Sequence, residues 1–137
     1  MENSRPVSTP IDFKATLVKA DESEPAYEKQ LYQQMIGSLI YLVTCTYPDL
    51  DFVMLFLSWF SSHPLLYHYT AVKRVFHYLV RTHTTSLIYT HHFSKDIPLL
   101  ITSYSDADYA SCYNTRCSVS GYIFLLNGCI ISWLLKK

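Results

Sequence analysis

The sequence has no net charge: 11 Lys and Arg side chains balance 11 Asp and Glu over 137 residues. As a whole, the chain is therefore neither a strongly basic nucleic-acid binder nor an acidic tail. The balance hides a gradient. Residues 1–62 carry four basic against eight acidic side chains (−4), and residues 63–137 carry seven against three (+4). Affinity for a polyanion is expected in the second half. Paired cysteines are also missing. Cys45, Cys112, Cys117 and Cys129 contain no Cys-x-x-Cys, and zinc held by Cys112, Cys117 and one of the six histidines fits no standard ligand spacing. With no signal-peptide pattern, they read as reduced thiols in an intracellular chain. Nor is there the unbroken apolar run of roughly 20 residues that a membrane span requires. Met35 to Phe60 comes nearest, but Asp49 and Asp51 interrupt it beside Pro48, which predicts two buried helices. No internal repeat appears.

Half of the residues are apolar, enough for a globular core. Residues 1–24 are polar, contain two prolines and lack a period, which predicts an extended linker. From Pro25 onward Leu31, Met35, Leu39 and Leu42 recur at helical spacing, widened by Ile36, Ile40 and Val43. Gly37 weakens this helix by about 1 kcal/mol relative to alanine, tolerable where another element packs closely. A second helix is expected from Pro48 through Phe60, with Thr46 and Asp49 as a capping-box pair and apolar side chains nearly all round. A third spans about His68 to Arg81. Its stripe is Val72, Val75, Phe76 and Leu79, and Thr70, Arg74, His77 and Arg81 lie opposite with Lys73 beside them. That face is either solvated or turned toward phosphates.

The period then changes to alternation. Strands are expected at Leu87–Tyr89, Leu99–Asp106, Gly121–Leu126 and Cys129–Trp133. Asn127-Gly128 between the last two marks a hairpin, because both residues tolerate positive φ. Helices come first and an antiparallel three-stranded sheet closes the chain, an α+β class in two unlike pieces joined near residue 92. Asp106 and Asp108 stand at a strand end. On residue type alone, such Asp-x-Asp pairs are often just solvated turn carboxylates.

Several blocks carry a resemblance. LYQQMIGSLIYLVTCTYPDLDFV, AVKRVFHYLVRTHTTSLIY and the opening MENSRPVSTPID resemble the C-terminal end of the reverse transcriptase in copia-type retrotransposon polyproteins. YSDADYASCYNTRCSVSGYIFLLNGCIISW resembles the start of the ribonuclease H domain that follows it. The blocks keep their order and cover nearly the whole chain. The resemblance implies a linker over 1–24, the helical end of reverse transcriptase over 25–92, and incomplete RNase H-like strands over 93–137. It also implies a nucleic-acid partner such as an RNA–DNA hybrid, association with the remainder of the polyprotein, and Mg2+ as the family cofactor. Asp106 matches the first metal-binding, catalytic aspartate of the ribonuclease H domain.

The departures from the family pattern matter as much. No Asp-Asp pair of the polymerase signature occurs, and the chain reaches Lys136-Lys137 before the helix expected to supply the next carboxylate. Two divalent cations ~4 Å apart need several carboxylates to hold them. Tyr47-Pro48-Asp49 stands where Arg-Pro-Asp is usual, Arg116-Cys117 where a basic pair is usual, and Leu55 and Trp59 where polar residues are usual. These features imply a decayed copy without catalysis of its own. The nucleic-acid contacts expected to remain are Lys73, Arg74, Arg81 and Arg116. The alternatives are a non-catalytic nucleic-acid-binding module and an interaction or membrane-surface protein that uses the apolar face around Trp59.

Overall fold

The computed structural model describes residues 5–12, 17–19, 23–89, 99–108 and 117–137. The chain forms two compact units, Met1–Thr85 and Ser86–Lys137. The first contains helix α1 (Lys29–Thr46), a 3-10 turn (Pro48–Leu50), α2 (Asp51–Ser58) and α3 (Leu66–Thr82). The second contains strands β1 (Ile101–Asp108), β2 (Val119–Leu126) and β3 (Cys129–Lys136). The α+β class expected from the change of period is what the chain adopts. The expected join near residue 92 lies outside the described residues.

Helix α1 begins four residues later than Pro25 suggests. Glu28 sits in the left-handed region at φ 43°, and the Tyr27 N–H donates to the Pro64 carbonyl at 2.7 Å, so the chain turns there before the helix starts. The buried seam is Tyr32, Ile36, Leu39 and Val43 rather than the expected Leu31, Met35, Leu39 and Leu42. The rotation follows from Tyr32. Its ring is fully buried, and its hydroxyl donates to the Leu57 carbonyl at 2.7 Å, so burial leaves no polar atom unsatisfied. Nothing lies within 4 Å of the place where a Cβ on Gly37 would sit, so no element packs closely there.

The expected Thr46–Asp49 capping box does not form. Thr46 Oγ1 donates back to the Leu42 carbonyl at 2.9 Å, and Asp49 Oδ2 accepts from the Tyr78 hydroxyl at 2.5 Å, tying the 3-10 turn to α3. Helix α2 ends at Ser58, and Trp59 to His63 continue as tight turns with i to i+3 bonds. Val53, Met54 and Leu57 face the core. Phe52 stays half exposed and stacks on Phe56, whose edge meets Trp59 at 5.4 Å, so the all-round apolar helix leaves one side uncovered. Helix α3 contributes Val72 and Val75. Ile11, from the extended N-terminal stretch, completes this core.

The sheet has the order β1-β2-β3 with both pairs antiparallel. Asn127 and Gly128 take φ 48° and 82°, the conformation expected of this dipeptide in a two-residue hairpin. Asn127 also clasps the start of β1: its Oδ1 accepts from the Leu100 N–H at 2.8 Å, and its own N–H donates to the Leu100 carbonyl at 2.9 Å. A bulge between Phe124 and Leu125 shifts the β2–β3 register, so that Trp133 pairs with Ile123 and Leu135 with Gly121. The Leu135 side chain lies over Gly121, and a Cβ there would come within 2.7 Å of Leu135 Cδ1, so a larger residue would have to push that methyl aside. Leu87–Tyr89 is not a strand; Tyr89 instead donates its hydroxyl to the Ile130 carbonyl at 2.8 Å. Residues 109–118 connect β1 to β2, a shorter link than the expected strand bounds left between them.

Candidate nucleic-acid interface and carboxylate pair

Asp106 and Asp108 lie two apart near the C-terminal end of β1, which places both on one face of the sheet. Register sets Asp106 opposite Gly121 and Asp108 opposite Val119. Both carboxylates are exposed. Asp106 Oδ1 accepts from the N–H of its neighbour Ala107 at 2.9 Å, a local bond of the kind that short polar side chains make at strand ends. A cavity of about 600 Å3 borders Asp106, lined also by Ser105, Ser120, Tyr122, Leu134 and Lys136. Those five occupy the alternating positions of the sheet, on the face opposite both Asp106 and Asp108 by register, so the cavity lies away from the face that carries the carboxylates.

A pair of magnesium ions does not fit this donor set. Among the described residues, no group of three or more His, Cys, Asp or Glu side chains is placed to hold a metal ion. Two carboxylates leave most of the coordination of even one magnesium to water. Of the thiols considered for zinc, Cys117 is free and exposed, and Cys112 lies outside the described residues.

The basic residues of α3 serve two purposes. Arg74 is turned onto the N-terminal stretch: its Nε donates to the Thr9 carbonyl at 3.1 Å and its Nη2 to the Thr9 hydroxyl at 2.9 Å. Lys73 Nζ sits 4.7 Å from the centre of the Tyr69 ring, a cation–π contact that leaves the ammonium exposed. Arg81 is exposed in the last turn of α3, where a cation also complements the helix dipole. Arg116 lies outside the described residues. His77, expected on the solvent side, has its Nδ1 buried, with no hydrogen-bond partner among the described residues. Among the described residues, no helix is long and apolar enough to cross a membrane.

The residue that organises this side of the helical unit is His68, which sequence reasoning used only to mark the start of a helix. Its ring is fully buried and stacks on Phe60, with centroids 3.9 Å apart and planes at 13°. Its Nδ1 accepts from the Leu65 N–H at 3.0 Å. This is half of a capping box, since leucine has no acceptor to return the bond. With Nδ1 accepting, Nε2 carries the proton and donates to the Val18 carbonyl at 3.0 Å. The Tyr67 hydroxyl donates to the same carbonyl at 3.0 Å. Thr9, Ile11 and Val18 thus fasten the N-terminal stretch to the helical unit as a strap. A histidine three residues after a helix N-cap is the one sequence signal that pointed to this arrangement.

Comparison with known proteins places the chain. The Pol polyprotein of transposon TNT 1-94 from Nicotiana tabacum is 35% identical over 141 residues, which cover 99% of this chain and 10% of the polyprotein. The Pol polyprotein of transposon RE2 from Arabidopsis thaliana is 34% identical over 139 residues, covering 100% of this chain and 9% of the polyprotein. The chain belongs to the copia-type retrotransposon Pol family. This Pol-family chain therefore spans about a tenth of the length of those polyproteins. It is also 41% identical over 106 residues to a Plasmopara viticola protein named secreted RxLR effector protein 161, across 77% of this chain and 72% of that protein. No family model and no solved structure matches the chain.

Proposed function

We propose that this Pol-family chain is the junction between the helical end of a reverse transcriptase and the first strands of an RNase H-like domain, without catalysis of its own. The observation that carries this reading is collinear similarity to Pol polyproteins over 99% of the chain. In this reading Asp106 holds an inherited metal-ligand position on β1, with Asp108 as its polar neighbour. Cleavage of a ribose–phosphate chain by two magnesium ions needs more negative charge than two carboxylates supply, so Mg2+ is not held tightly here. The chain is intracellular, and its partners are nucleic acid and other parts of a polyprotein. Lys73, Arg81 and Arg116 are the phosphate contacts. Arg74 joins them only when it leaves Thr9.

The test is an RNA–DNA hybrid cleavage assay on purified full-length chain with Mg2+, run beside Asp106→Asn. The expected result is no cleavage above the blank from either protein. Cleavage that disappears with Asp106→Asn would overturn the reading.

One observation favours a second reading, a non-catalytic interaction module: the 41% identity to a protein named as an effector, over 72% of that protein's length. Filter binding of an oligonucleotide at rising salt separates the two. Phosphate contacts weaken steeply as ions are added, and a protein-directed surface gives no such slope.

A further inference from the structure

We propose that Thr9 is a phosphorylation site, and that its phosphate locks the N-terminal strap onto Arg74. Of the six prolines in the chain, only Pro10 follows a serine or threonine, so Thr9-Pro10 is the single motif of the kind read by proline-directed protein kinases. A residue before proline is held in extended backbone, the conformation such kinases accept. Thr9 is exposed.

The acceptor for the phosphate is already in place. Arg74 presents Nη2 to the Thr9 hydroxyl at 2.9 Å and Nε to the Thr9 carbonyl at 3.1 Å. The guanidinium fork therefore faces the oxygen that would carry the phosphoryl group. Arginine binds phosphate oxygens through two parallel charge-assisted bonds, stronger than the neutral bond it makes to a hydroxyl. The strap is also anchored at two points C-terminal to this contact. Ile11 is buried in the core, and the Val18 carbonyl accepts from Tyr67 and His68. A phosphate on Thr9 thus meets its partner with little further ordering of the chain.

The transfer step is ordinary phosphoryl chemistry with a nucleoside triphosphate. The Thr9 oxygen bonds to the γ-phosphorus of ATP, the bond from that phosphorus to the β–γ bridging oxygen breaks, and ADP departs. The hydroxyl proton passes to the kinase's base. The phosphate then adds nearly two negative charges at neutral pH. The modified strap engages Arg74 through charge, where the unmodified strap uses only a hydroxyl and a carbonyl. This inference does not depend on the polyprotein reading.

The experiment treats the full chain with a proline-directed kinase and ATP–Mg2+, maps phosphate by peptide mass spectrometry, and follows amide hydrogen exchange. A single phosphate on Thr9 is expected, with exchange across residues 5–12 and 17–19 slowed roughly tenfold by the charge-assisted contact while α1 is unchanged. Thr9→Ala takes no phosphate. Phosphorylated Arg74→Ala shows no slowing, and phosphorylated Arg74→Lys, which keeps the charge without the fork, shows an intermediate value. The proposal is overturned if Thr9 takes no phosphate, if strap exchange is unchanged or faster after modification, or if Arg74→Ala slows as much as the parent chain.

Discussion

His68 shows how a single side chain can carry more than its sequence position suggests. Burial pushes its pKa down to about 4, against the weaker upward pull of its bond to the Val18 carbonyl. The unfolded chain keeps the ordinary value near 6.5. Between those values the unfolded state binds a proton that the folded state refuses, so stability falls as pH drops through that window and is unaffected above it. The loss sums to on the order of 3 kcal/mol at the acid end. Urea midpoints should be flat above pH 7 and fall below about pH 6.5, and His68→Gln, which cannot titrate there, should flatten that fall. An equal fall in the variant would assign it to other groups. At this scale the sequence was least legible. Periodicity marks Val72 and Val75 as core, but it has no means of showing that His68 stacks on Phe60 or that Arg74 spends its guanidinium on Thr9. The two contacts join residues 8 and 65 positions apart, and the second depends on where the strap lies.

Among the elements, the hairpin was the most readable, because Asn127-Gly128 dictates its turn through backbone conformation alone. The helices were found, but their facing sides shifted. A stripe of seven apolar residues on α1 admits several seams, and the buried hydroxyl of Tyr32 decided between them. Gly37 is the clearest departure. With open space where its side chain would be, it contributes only the backbone entropy cost of glycine in a helix. Gly37→Ala should therefore stabilise the helical unit by about 1 kcal/mol. Thermal unfolding measures this, and a lowered midpoint would show that something does pack against that position. The expected strand at Leu87–Tyr89 failed for a different reason. Three apolar residues are too short a run to separate a strand from an extended link, and Tyr89 is held by its hydroxyl rather than by a ladder.

For the whole molecule, the two units are unequal. Every buried hydrophobic side chain among the described residues belongs to the helical unit except Val119. The sheet leaves Tyr104 and Leu134 open to water, and Leu100, clasped beside it, is open as well. Three strands also leave two edges whose backbone groups invite pairing with other chains. Residues 86–137 expressed alone should aggregate and bind a hydrophobic dye, and residues 1–85 should keep helical circular dichroism and a cooperative melt. A soluble, monomeric sheet unit with a sharp melt would contradict this. Family membership was legible at this scale because ordered blocks survive along the chain. The carboxylate pair on β1 was legible as a position, and among the described residues no third metal-ligating side chain joins it.

The bulge in the hairpin gives this fold one position where the loss of a codon leaves every strand pair in place. Ile131 is the extra residue that the bulge absorbs between two paired stretches. An in-frame deletion there would restore unbroken alternation and leave Trp133 opposite Ile123 and Leu135 opposite Gly121, on the side of the sheet each already occupies. The reading frame would survive such an event intact, and so would the side of the sheet that holds its indole.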